Sequence, residues 1–160
     1  MPTTTANLNT MQTSGSSAPL LSEILTKVNN AKMKDDKIKV LRDNDSVPLR
    51  QILKGNFDPK VVWDLPDGTP PFKRNEAPAG TEHTLLSNEA RRLWHFVKGA
   101  DPKLSKTKKE MMFIQMLEGL HPQEAEILCL VKDKSLSTKY KITQATVSEA
   151  FPDIQWGGRS

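Results

Sequence analysis

The chain has 160 residues, 36% of them apolar and only 6% aromatic, with 23 lysines and arginines against 19 aspartates and glutamates. That length holds one domain with tails around a modest core, and a net charge of +4 with a pI near 9.2 is a mild basic excess rather than a nucleic-acid signature by itself. The single cysteine, Cys129, excludes an internal disulfide and lies in an apolar run, as a core thiol in a reducing compartment does.

The first segment, MPTTTANLNTMQTSGSSAP, lacks apolar periodicity and has neither the basic nor the apolar region of a secretory signal. Residues 1–19 are therefore expected to form a disordered tail. Leu21, Ile24, Leu25 and Val28 then fall at helical spacing, on a segment that Ser17 and Pro19 are placed to open. Ile38, Val40 and Leu41 mark a second helix. SVPLRQILKG is a third, with Ser46 as N-cap, Leu49, Ile52 and Leu53 as its buried face and Gly55 as its end. KVVWDL (60–65) reads as a lone strand, which cannot make a sheet.

Residues 64–83 carry four prolines and two glycines in DLPDGTPPFKRNEAPAGTEH. A stretch this long and rich in turn residues divides an N-terminal helical arm, 20–63, from a C-terminal helical unit, 84–152. In that unit Leu86, Ala90, Leu93, Trp94 and Val97 share one face of an expected α-helix ended by Gly99 and Pro102. Met112, Phe113, Met116, Leu117 and Leu120 repeat the pattern after the cap Ser105, with Gly119 as the expected left-handed C-terminal residue. Pro122 opens a helix whose ILCLV run makes it the most buried, with Glu124 near its positive end. ITQATVSEAFP closes the unit, capped by Thr143, and residues 153–160 form a flexible tail. The fold class is all-α: a small bundle of short helices with a long Pro/Gly-rich central loop.

Chemistry-bearing patterns are sparse. His83, His95, His121 and Cys129 show no i,i+4 pairing, and Glu118 with His121 supplies a single Glu-x-x-His across a helix break where a carboxylate-bridged site needs two. No G-x-S-x-G elbow or G-x-x-x-x-G-K-[ST] loop occurs. The expectation is no catalytic residues, no metal and no cofactor.

Two binding surfaces stand out. TPPFKRN joins an extended backbone to Phe72, Lys73 and Arg74, and IQWGGRS places Trp156 before two glycines; each is either a docking peptide or an anchor onto the protein's own core. DPKLSKTKKE clusters Lys103, Lys106, Lys108 and Lys109, which Arg91 and Arg92 extend if the neighbouring helices pack antiparallel. ITQATVSEAF has the Thr-Val-Ser outline of a recognition helix, in which Thr143, Gln144 and Thr146 would face bases. Lys141 stands where a turn glycine is favoured, however, and a capped structural helix is the simpler reading.

Taken together, SEILTKVNNAK, SVPLRQILKGNFDP, NEAPAGTEHT, EARRLWHFVKG, FIQMLEGLHPQEAEILCLVKDK and EAFPDIQWGGRS resemble small proteins of T4-like marine bacteriophages, notably cyanophages, a family with no assigned activity. The resemblance covers about residues 20–160 and implies a protein made in the cytoplasm of an infected bacterium, with phage or host macromolecules as partners. The leading expectation is a non-enzymatic interaction or adaptor protein that binds a phage or host protein through Phe72, Lys73, Arg74 and Trp156. The alternatives are a nucleic-acid-binding protein in phage replication or transcription and a minor virion component. A membrane partner is not expected, and a core this modest leaves a homodimer open.

Overall fold

The computed structural model describes residues 19–77 and 83–157; the expected tail over 1–19 except its last residue, residues 78–82 of the expected loop and the last three residues lie outside them. The fold is all-α. Its elements are α1 (Leu21–Asn30), α2 (Lys34–Asp43), α3 (Val47–Phe57), α4 (Leu86–Glu89), a 3₁₀ helix over Ala90–Phe96, α5 (Lys106–Gly119), α6 (Pro122–Lys132), a 3₁₀ turn at Leu136–Thr138, and α7 (Gln144–Ala150). Among the described residues no helix is long and apolar enough to cross a membrane.

The helix starts follow from local chemistry. Ser46 Oγ accepts the Leu49 N–H at 3.2 Å, Ser105 Oγ that of Lys108 at 3.2 Å, and Thr143 Oγ1 that of Thr146 at 3.2 Å. These bonds satisfy donors that the first helical turn leaves without partners. His121 Nδ1 accepts the Gln123 N–H at 3.2 Å ahead of Pro122, whose missing N–H costs nothing at that position. The α1 start has no hydroxyl cap. Instead Glu23 Oε1 accepts the Leu20 N–H at 2.7 Å, and the Leu21 N–H reaches across the core to Glu124 Oε2 at 3.1 Å.

That core is organised by α6, which buries Ala125, Ile127, Leu128, Cys129 and Val131 and packs on α1, α3 and α5. Buried residues from Leu21 to Ile154 belong to one cluster, so the arm over 20–63 and the unit over 84–152 share a single core. α2 packs on α1 and α7, and Arg42 donates to the carbonyls of Glu149 and Ala150, closing the C-terminal end of α7.

Four details of the sequence reading are corrected. KVVWDL forms no strand; its extended backbone makes one antiparallel bridge between Trp63 and Val97, with Asp64 N–H on Phe96 O and Lys98 N–H on Val62 O, both at 2.7 Å. The expected helix over Leu86–Val97 is one α-turn followed by 3₁₀ geometry. Three residues per turn put Ala90, Leu93 and Phe96 on the inner stripe and turn Trp94 outward. Gly119 is not left-handed: it ends α5 inside the helix, where a Cβ would stand 3.0 Å from Thr84 Oγ1. Gly55 does not end α3, which continues to Phe57.

Gly55 is instead a notch. A Cβ there would lie 2.8 Å from Trp63 Cζ2 and 3.3 Å from Val131 Cγ1, and Trp63 Nε1 donates to the Gly55 carbonyl at 3.0 Å. Helix propensity favours alanine at this position by about 1 kcal/mol, but overpacking against an indole ring costs about 1–3 kcal/mol. Gly55→Ala is therefore expected to lower the melting temperature and reduce the protection of the Trp63 indole N–H from hydrogen exchange. A rise in melting temperature would mean that the ring moves aside freely.

Candidate nucleic-acid interface

The proline-rich loop is seated on the body of the protein. Lys132 Nζ, almost wholly buried on α6, donates to the carbonyls of Pro66 at 2.8 Å and Gly68 at 2.9 Å and to Asp133 Oδ1 at 2.5 Å. The Gly68 N–H returns to the Asp133 carboxylate, and Lys73 N–H donates to Glu118 Oε2 at 2.9 Å. Phe72 is half-buried against the core, as is Trp63, while the Lys73 side chain and Arg74 are exposed, Arg74 paired with Glu76 at 3.3 Å.

Trp156 is likewise half-buried on the core. Its neighbours are fastened by a buried pair: Lys54 Nζ donates to Asp58 Oδ2 at 2.6 Å and to the Gln155 carbonyl, and Asp58 Oδ2 also accepts the Gly157 N–H at 2.8 Å. Burial alone would raise the Asp58 carboxyl, but the bonds from Lys54, Gly157 N–H and Lys60 N–H hold it below its ordinary value. The sequence left Phe72 and Trp156 between docking peptide and anchor. The geometry gives both side chains the packing of anchors.

The basic candidates divide. Lys109 is only 4% exposed, and its Nζ lies 2.9 Å from Asp64 Oδ2, so it is a structural ion pair rather than a phosphate ligand. Lys109, first of the pair's donors, and the more distant Lys106 hold the Asp64 carboxyl below its usual range. Arg91, Arg92, Lys106 and Lys108 are exposed, as are Lys98 and Lys103. The span from Arg91 to Lys108 holds these six cations and a single acid, Asp101, which is engaged with His95 Nδ1 at 2.8 Å. Arg92 bonds Glu89 at 2.9 Å and Lys106 stands 3.6 Å from Asp64; the other four make no ion pair among the described residues.

Three contacts fasten the segments that carry these residues to one another. The Asp64 backbone sits on Phe96 while its carboxylate gathers Lys106 and Lys109, the Phe96 and Phe113 rings meet edge-on at 5.4 Å, and His95 ties the 99–101 turn back to the 3₁₀ helix. Lysines in the first turn of α5, with no acid there, also oppose the helix dipole, a cost that a bound anion removes.

The last helix is less open. Thr143 and Gln144 are exposed, but Thr146 is only 5% exposed and its hydroxyl is 3.1 Å from that of Thr143, so Thr146 cannot face a base. A concavity of about 450 Å³ beside it is lined by Lys32, Lys34, Lys37 and Lys141. Two of those are already committed, Lys34 to Glu149 and Lys37 to the Val28 carbonyl, each at 2.8 Å.

Sequence reasoning missed Lys98 and the outward Trp94 because an α-helical period assigned Trp94 to the core. Among the described residues no cluster of three or more His, Cys, Asp or Glu is placed to hold a metal ion.

Residues 24–138 match DUF6433, a family of unknown function. The chain belongs to that family. The span that DUF6433 covers includes the whole basic face over 91–108 and the clamped loop, and it ends before Thr143 and Trp156. No curated protein and no solved structure gives a match.

Proposed function

We propose that this DUF6433 chain is a non-enzymatic nucleic-acid-binding protein acting through the face formed by residues 91–108. The observation that carries the reading is the concentration of six exposed cations, four of them without a carboxylate partner among the described residues, on a segment with one engaged acid. Such a face gains free energy by releasing counterions from a phosphate backbone. The resemblance to small proteins of T4-like phages supports a setting in the infected cell, where replicating or transcribed nucleic acid is the abundant polyanion.

Binding to a phage or host protein through the loop and tail is the second reading. It now rests on Lys73 and Arg74, since Phe72 and Trp156 pack on the protein's own core.

The test is the salt dependence of binding to a labelled oligonucleotide, followed by fluorescence anisotropy. With about four to six phosphates contacted, log K is expected to fall against log salt with a slope of about −3 to −5. Lys108→Ala is expected to reduce the slope by about 1 without changing the melting temperature. Absence of binding at low salt, or a slope indifferent to Lys108 and Lys103, would assign these lysines to a solvated surface.

A further inference from the structure

Trp94 bears on whether a nucleic-acid partner is single- or double-stranded. It is 49% exposed, whereas Trp63 and Trp156 are both packed against the core. A tryptophan left this open in a chain with only 6% aromatic residues is unusual use of its largest apolar side chain.

Its presentation is fixed by the backbone. In a 3₁₀ helix side chains three apart eclipse, so with Ala90, Leu93 and Phe96 on the inner stripe, Arg91 and Trp94 share an outer one. The indole stacks on the His95 imidazole with centroids 3.9 Å apart and planes 30° from parallel. His95 is held in turn by Asp101 at 2.8 Å. One face of the indole is thus covered by a ring that is itself braced, and the residue stays open to solvent with Arg91 as its neighbour on the outer stripe.

Resting on the nucleic-acid reading above, we infer that Trp94 is a base-stacking platform and that the protein prefers single-stranded nucleic acid. A duplex offers phosphates to the cations but keeps the faces of its bases within the stack. A single strand offers both, and an aromatic ring accepts any base because every base has a π-face. The segment favours this partner over a protein: its exposed cations, with Arg91 on the same stripe as the ring, are complementary to phosphate.

The experiment compares a labelled oligothymidylate with a duplex of the same length, using the full chain and its Trp94→Ala and Trp94→Phe variants. The unsubstituted protein is expected to bind the single strand about tenfold tighter than the duplex. Trp94→Ala is expected to lower oligothymidylate affinity by about tenfold while its salt slope, its duplex affinity and its melting temperature stay as they were, and Trp94→Phe to retain most of the affinity. Equal affinity for both probes, with Trp94→Ala without effect, overturns the stacking inference and leaves the phosphate-binding reading standing. Equal losses for both probes overturn it too, making Trp94 a structural support of the face. No binding of either probe at low salt overturns both readings.

Discussion

Glu124→Ala is expected to destabilise the protein by about 3–5 kcal/mol, a fall in melting temperature of about 10 °C or more for a chain of this size. The side chain is 1% exposed. Its Oε2 accepts the Leu21 N–H at 3.1 Å and its Oε1 the Leu86 N–H at 3.1 Å, with the Ser22 N–H also bonded to the carboxylate. Those donors belong to the first turns of α1 and α4, which have no intrahelical acceptor. Removing the carboxylate leaves them in the core without partners, so the cost is the desolvation of several N–H groups rather than the loss of one contact. Glu124→Gln is a finer probe. One amide oxygen still accepts, but the NH₂ group faces a backbone N–H, so a loss of about 2 kcal/mol is expected. Thermal melts of both variants check the order; near-equal stability of Glu124→Ala and the unsubstituted protein would show that water replaces the carboxylate at little cost.

The same group sets a pH signature. Burial raises the Glu124 carboxyl above its ordinary 4.5, outweighing the N–H bonds that lower it. Between 4.5 and the raised value the folded chain holds a proton that the unfolded chain has lost, so this contribution to stability is full below pH 4.5 and declines as pH rises through the window. Asp58 runs the other way. Its carboxyl is depressed, so its contribution is present above 3.8 and is lost as pH falls through the depressed value. Glu124→Gln should therefore flatten the stability curve above pH 4.5 and leave in place the acid limb, to which Asp58 and the likewise depressed Asp64 both contribute.

How much of this was legible in the sequence depends on the range of the interaction. Ser46, Ser105, Thr143 and Pro122 act within one helical turn, and each is a cap or first-turn residue in the structure. The glycines misled because their reason lies elsewhere in the chain: Gly55 makes room for Trp63 and Gly119 for Thr84. Trp94 misled because the 3₁₀ period of three and the α period of 3.6 agree over one turn and diverge by the second.

The buried charges left a trace that the reading passed over. Lys109 stands four residues before Phe113, Glu124 four before Leu128, and Lys132 four after Leu128, so all three occupy apolar faces. A charge on such a face needs a buried partner. The partners, Asp64, the Leu21 and Leu86 amides, and the loop carbonyls, are too far along the chain for spacing to reveal. For the candidate interface this distinction is decisive, since it removes Lys109 and Thr146, keeps Lys103 and adds Lys98 and Trp94.

Lys132→Met is expected to release the proline-rich loop. The substitution keeps the length of an apolar stem on α6 and removes the ammonium, so core packing is nearly conserved while three hydrogen bonds disappear. A lysine ammonium has three donors and no acceptors, and here the Pro66 carbonyl, the Gly68 carbonyl and Asp133 Oδ1 take all three. Without it two carbonyls turn inward with no donor, and Asp133 loses its cation while keeping the Gly68 N–H. Because the loop side of the clamp borders solvent, the segment relieves this by lifting off and hydrating, and the cost is capped at about 2–4 kcal/mol. The expected signature is local: faster amide exchange and new protease cleavage over residues 66–73, ahead of any change in α3 or α6. Leu65 and Phe72 also pack partly on the core. If the Gly68 amide keeps its protection in Lys132→Met, those two side chains hold the loop without the clamp. If it loses protection while Phe72 stays packed, the ammonium positions the 66–68 turn, while Phe72 and the Lys73 N–H on Glu118 hold the segment beyond it. The latter outcome would also reopen the protein-binding reading, because a turn freed by one substitution is a turn that a partner could displace.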